Sequence, residues 1–182
     1  MERITRLCYI VGSFTYHFEA LCEKSIYPLM DACPGVRIQF ARGVGPSPGP
    51  LSERLAQRLE QADFVVADVS ERNPNVFLEL GLCWAHRIPL VLIVEKSALH
   101  NVPSIFGGHV VFTYSTDDNG PETLRKELAQ YLCTRLDLRY FEGRQRLDPI
   151  FTGREYKTDA KLCFVIMPFS DDQLNRIYEG SG

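Results

Sequence analysis

The sequence predicts an α/β protein: a doubly wound, mainly parallel five-stranded sheet of flavodoxin/Rossmann-like order over residues 1–138. A linker over 139–160 and the first strand of a second copy over 161–182 are expected to follow. Three observations carry this. Short apolar runs alternate with helix-spaced segments, the signature of an α/β layer fold. The runs are near-continuously apolar, as strands covered on both faces require. The length, 182 residues, suits one domain of roughly 150 residues and a remainder.

The elements follow in order. Leu7-Cys8-Tyr9-Ile10-Val11 is a buried strand that stops at the turn Gly12-Ser13-Phe14-Thr15. Phe18 to Met30 has apolar residues at helical spacing (Phe18, Leu21, Cys22, Ile26, Leu29, Met30). Val36 to Phe40 alternates as a second strand, and Gly43 to Pro50 is a loop dense in breakers. Leu51 to Ala62 is an amphipathic helix, with Leu51, Leu55 and Leu59 on one face. Asp63 to Val69 is a third strand. Asn73 suits an N-cap and Pro74 the first helical position of a helix reaching about Arg87. Leu90 to Val94 and Val110 to Tyr114 are strands four and five, and Pro121 to Leu136 is a closing helix.

Composition narrows the function. The net charge is −3 and the pI near 5.8, so charge gives no reason to expect nucleic acid or anionic lipid as a partner. The longest strongly apolar stretch, Pro89 to Val94, is far below the roughly 20 residues of a membrane span. Residues 1–6 lead into a strand-like run without a signal-peptide core, so a cytoplasmic protein is expected. Of the six cysteines, Cys8 and Cys163 sit in strand-like runs and Cys22, Cys83 and Cys133 in helix-like ones. Buried reduced thiols are therefore expected. No Cys-x-x-Cys or Cys-x-x-His pair occurs and the histidines are scattered, so neither a metal nor a cofactor is implied.

The tail carries an internal similarity. Leu162-Cys163-Phe164-Val165-Ile166-Met167-Pro168-Phe169 echoes Leu7 to Phe14 at an offset of 155 residues. A duplication would make this chain one complete unit and the opening of another, and Gly180-Ser181-Gly182 then reads as a cut end.

Gly45-Pro46-Ser47-Pro48-Gly49 fits G-x-S-x-G on paper. A nucleophile elbow needs a strand directly before it and a backbone N–H from the residue after the serine, and Pro48 has none. The loop also lacks the lysine of a P-loop and the third glycine of a dinucleotide fingerprint. The stronger constellation follows from topology, because ligands of open α/β sheets bind beyond the carboxyl ends of the strands where the order reverses. Gly12, Ser13 and Phe14 form one wall of that crevice and Asp68, Val69 and Ser70 the other. The helix opening at Asn73 points its free N–H groups into it, favouring an anionic or polar ligand. Asn75 and Glu79 share a face of that helix, with His86 along the same stripe, while Val76, Leu80, Cys83 and Trp84 mark the core-facing side. Nearness to the helix N-terminus is expected to keep Glu79 ionised, as a nucleophile requires. Gly81 beside it suggests close approach by a strand or ligand.

Ala62 to Ser70, Asn73-Pro74-Asn75-Val76-Phe77, Glu79-Leu80-Gly81-Leu82 and Pro89 to Ile93 together resemble the nucleoside 2-deoxyribosyltransferase-like superfamily. The Asn-Pro-Asn-Val and Glu-Leu-Gly elements look most like its bacterial branch of nucleotide-binding proteins. The similarity covers about residues 6–136, and Cys163 to Phe169 looks like the first strand of another such domain. The resemblance implies that Glu79 attacks the anomeric carbon, forming a glycosyl ester resolved by water or a second base. Asp68 is then expected to contact base or sugar or to assist proton delivery. Gly12, Ser13, Phe14, Ser70, Asn73 and Asn75 are expected to bind substrate. The transferases commonly carry an acid near Asn73, where this chain departs from them. Related folds of the Toll/interleukin-1-receptor type use a glutamate to cleave NAD, so a nucleoside, a nucleotide and NAD are all candidate substrates. A homo-oligomer is implied because the transferases complete their sites from a neighbouring subunit. The alternative is a catalytically silent nucleotide-sensing or assembly module of a bacterial signalling or defence system.

Overall fold

The computed structural model describes residues 3–43, 51–86, 88–106 and 109–135, without the side chains of 51–53, 101 and 105. The linker, the second-copy strand and the loop from Val44 to Pro50 lie outside the described residues.

Five parallel strands form one sheet: β1 (Ile4–Val11), β2 (Val36–Arg42), β3 (Phe64–Asp68), β4 (Leu90–Glu95) and β5 (Val110–Tyr114). Their order is β2-β1-β3-β4-β5, the flavodoxin-like order expected, with its reversal between β1 and β3. Strand alternation divides the core in two. Cys8, Ile10, Phe64, Val66, Val91 and Ile93 point to one face, under α1 (Tyr16–Leu21) and α4 (Gly120–Arg135). Tyr9, Val11, Val65, Ala67, Leu90, Leu92 and Val94 point to the other, under α2 (Leu51–Gln61) and α3 (Pro74–Ala85). Both faces are apolar because both are covered, which is why these strands read as continuous runs rather than alternating ones. No helix among the described residues is long and apolar enough to cross a membrane.

Two expectations need correction here. The segment expected as one helix from Phe18 to Met30 is α1, then a π-helical turn (Cys22–Ile26), then a 3-10 turn (Tyr27–Asp31). Pro28 has no N–H to continue an α-helix and crowds the carbonyl four residues back, so the winding changes around it. Cys133 is not a reduced thiol. It forms a disulfide with Cys33, 100 residues away and 5.0 Å between Cα atoms, tying α4 to the turn before β2. Cys8, Cys22 and Cys83 are buried free thiols, as expected.

Candidate active site

The crevice between the carboxyl ends of β1 and β3 is built from the β1–α1 turn. A Cβ on Gly12 would overlap the Phe18 ring, so only glycine lets the chain turn here over α1. The Ser13 carbonyl accepts from the Thr15 amide at 2.8 Å, and Thr15 Oγ1 caps α1 by accepting from the Phe18 amide at 3.3 Å. These bonds leave Ser13 buried, with its hydroxyl turned across the crevice. Asn73 Nδ2 donates to Ser13 Oγ at 3.2 Å, while Asn73 Oδ1 accepts from the Asn75 amide at 3.0 Å, the expected cap of α3. One asparagine thus caps the helix and joins its start to β1.

Phe14 lies apart from this junction. Its ring is 75% exposed and rests against the Arg42 guanidinium at the end of β2, 5.1 Å from the ring centroid. Arg42 also lies 5.4 Å from the Phe18 centroid and pairs with Glu19 at 2.6 Å. The cation holds the ring on the β2 side of the turn. Asn75 is exposed, with its amide engaged in the cap.

Asp68 and Ser70 form a second cluster, toward β4 and β5. Asp68 Oδ1 accepts from the Ser70 hydroxyl at 2.5 Å and amide at 2.9 Å, and Oδ2 accepts from the Tyr114 hydroxyl at 3.0 Å. Ser70 Oγ in turn accepts from the Glu95 amide at 2.8 Å. Burial pushes the Asp68 carboxyl above its ordinary range, with the Ser70 and Tyr114 hydrogen bonds opposing. Both carboxylate oxygens are thereby committed to holding the strand ends together.

Glu79 is half-buried, and among the described residues no cation or hydrogen-bond donor offsets the loss of water around it. Desolvation pushes its carboxyl from 4.5 up to about 7. This corrects the expectation of a helix-dipole effect: the dipole fades beyond the first turn, and Glu79 is the sixth residue of α3. Beside it is Tyr9, which the sequence reading did not single out. The Tyr9 side chain is 1% exposed, and its hydroxyl makes no well-formed hydrogen bond among the described residues, with only the Gly43 amide approaching it loosely. Burial, then the charge of Glu79, push that hydroxyl up to about 12. The only sequence signal was a polar tip inside the apolar run of β1, and alternation places Tyr9 on the sheet face that α3 covers. A half-buried carboxyl of near-neutral pKa beside a buried phenol is suited to nucleophilic or proton-transfer chemistry.

Two further expectations about α3 change. Trp84 is 51% exposed rather than core-facing. Nothing lies within 4 Å of a Cβ built on Gly81, so among the described residues no strand approaches the glycine closely. His86 ends the helix, with Nδ1 3.7 Å from Glu60 Oε1 on α2, away from the crevice.

No family model matches the chain, and no curated protein is similar to it in sequence. Among solved structures, it is similar to the CMP N-glycosidase BcmB of Clostridium botulinum, at 14% identity over 70% of this chain and 100% of that one, with a TM-score of 0.51. It is also similar to the translation elongation factor SelB of Methanococcus maripaludis in its apo form, at 16% identity over 74% of this chain and TM-score 0.49. The chain spans about a third, 34%, of that factor's length. The likeness to BcmB shows a common α/β fold.

Proposed function

We propose that this chain cleaves the N-glycosidic bond of a nucleoside, a nucleotide or NAD, with Glu79 as nucleophile, and belongs with the nucleoside 2-deoxyribosyltransferase-like proteins. The observation that carries the reading is the Glu79 carboxyl, half-buried beside the Tyr9 hydroxyl on the helix that Asn73 ties to the β1 turn. The fold shared with a CMP N-glycosidase supports it.

In this reading a Glu79 carboxylate oxygen bonds to the anomeric carbon as the carbon–nitrogen bond breaks, and the base departs with the bonding pair. Water then attacks the resulting ester, releasing the sugar and restoring the carboxylate. Tyr9 acts on Glu79 through space, its buried phenol keeping water from that side of the carboxylate. Asp68 has both oxygens engaged, so a base that needs a proton on departure draws it through the Ser70–Tyr114 network or from solvent. Nicotinamide leaves NAD neutral and needs none. Ser13 and Asn73 border the sugar, and Phe14 offers its open ring face to the base.

A second reading, a nucleotide-sensing module without turnover, is favoured by one observation: Asn73 stands where an acid would assist, and its side chain is spent on the cap and on Ser13. Incubation with NAD and a panel of nucleosides and nucleotides, followed by chromatography for free base, separates the two. Release by the wild type and none by Glu79→Gln supports cleavage. Binding of a panel member without release supports sensing.

A further inference from the structure

We propose that the Cys33–Cys133 disulfide is a reversible thiol switch that sets how firmly the Phe14 and Arg42 side of the crevice is held. Its effect on substrate affinity rests on the glycosidase reading; the loosening of that side does not. Cys8, Cys22 and Cys83 are fully buried free thiols. Burial pushes each above the ordinary thiol range, which closes them to exchange. The bonded pair differs. Cys33 is buried, but Cys133 is half-buried in the last turn of α4, where a solution thiolate reaches it. The dithiol state is also accommodated, because the Ala32 carbonyl oxygen lies 3.6 Å from Cys133 Sγ as an acceptor for the thiol. In the exchange, a thiolate of a small dithiol bonds to Cys133 Sγ as the bond between the two protein sulfurs breaks. Cys33 leaves with the bonding pair and takes a proton from water. The second sulfur of the dithiol then attacks the first, releasing Cys133 as a thiolate that is protonated in turn. The protein gains two electrons and two protons, the dithiol becomes a cyclic disulfide, and a small-molecule disulfide reverses the process.

The path from the disulfide to the crevice is short. The π-helical and 3-10 turns after α1 are fastened to α4 at two points. Ser25 Oγ donates to the Pro121 carbonyl at 2.7 Å near the start of α4, and the disulfide closes the other end. Regular α-helical winding is absent between the two, so the covalent tie bears directly on where this segment sits. The segment in turn supports the end of β2. Its Tyr27 ring meets Phe40 edge-on, with centroids 5.6 Å apart, and the Tyr27 hydroxyl loosely approaches the Arg42 guanidinium. Arg42 holds the Phe14 and Phe18 rings and Glu19, and Phe18 is the ring over which Gly12 turns. Opening the disulfide leaves Leu124, Leu128 and Leu132 buried, so α4 stays docked and the chain stays folded while Tyr27 and Arg42 are less firmly placed. Glu79 rides on α3, which covers the opposite face of the sheet. The switch therefore acts on binding and leaves the chemical step alone.

Hydrogen exchange of the full chain, oxidised and after dithiothreitol, tests the switch, with native alkylation and mass spectrometry reading the state of each cysteine. Reduction should open Cys133 to alkylation, leave Cys8, Cys22 and Cys83 unlabelled, and speed exchange in residues 12–19 and 36–42 but not in 90–95. Far-UV circular dichroism should stay unchanged. For any compound that releases base, KM should rise about threefold at constant kcat, the factor expected if the loosened side is in place about a third of the time. Cys133→Ser should match the reduced wild type with or without dithiothreitol. Exchange in 12–19 and 36–42 that ignores the state of the pair overturns the proposal, as does a disulfide that dithiothreitol cannot open in the folded chain. A KM that does not move while base release proceeds overturns it equally. A chain that releases no base yet shows the redox-dependent exchange refutes the glycosidase reading and supports the switch.

Discussion

Replacing Glu79 by glutamine should make the protein more stable, and only at neutral and alkaline pH. The unfolded carboxyl ionises near 4.5 and the folded one near 7. Between those values the folded chain holds a proton that the unfolded chain has released, so stability falls as pH rises through that window and is level above it. The full displacement is equivalent to about 3 kcal/mol, and water still reaching the half-buried group reduces this to about 2 kcal/mol. Glutamine has the same shape and no charge, so it escapes the penalty. For a chain of this size, Tm should rise by about 4–8 °C at pH 8.5 and by much less at pH 5, where the difference is under about 1 kcal/mol. Asp68 is also shifted upward, but it is common to both proteins and cancels. Thermal unfolding of the two proteins at both pH values is the assay. An equal shift at the two pH values, or a less stable variant at pH 8.5, would refute a desolvated Glu79. The same displacement predicts that kcat/KM for base release rises with pH and levels off above about 7.

Tyr9→Phe removes a buried hydroxyl that makes no well-formed hydrogen bond among the described residues. It should leave stability equal or higher by about 1 kcal/mol while lowering kcat, which denaturant titration and the base-release assay read separately. Gly12→Ala forces its methyl into the Phe18 ring, and urea unfolding should show a loss of about 1–3 kcal/mol. Reducing the Cys33–Cys133 disulfide opens a loop of about 100 residues and should lower stability by about 2–4 kcal/mol. Cys33→Ser should reproduce that loss and make the protein insensitive to reductant.

The sheet was legible because each strand is buried on both faces and interrupted by turn residues, which periodicity detects. Its order followed from the crossover pattern of an α/β chain. The cap at Asn73 was legible from Asn-Pro alone. Other features depend on distance in space. Cys33 and Cys133 are 100 residues apart, and no spacing motif announces a pair brought together by a closing helix. The Glu79 carboxyl could be placed on a helix face, but its protonation depends on how much water β1 and α3 exclude. Sequence position pointed to the helix dipole, and desolvation outweighed it. Trp84 illustrates the same limit: an apolar residue one turn from a buried stripe reads as core, whereas its actual exposure is set by where the helix axis sits on the sheet. Tyr9 was hidden by its setting, since a tyrosine in an apolar strand is ordinarily packing.

The central claim is that Glu79 bonds covalently to the sugar. Rapid acid quenching during turnover of whichever panel compound releases base, followed by digestion and mass spectrometry, tests it most directly. The account predicts a peptide containing Glu79 heavier by the sugar portion of the substrate, absent from Glu79→Gln. Base release that persists in Glu79→Gln, with the Glu79 peptide unmodified in the wild type, would contradict it.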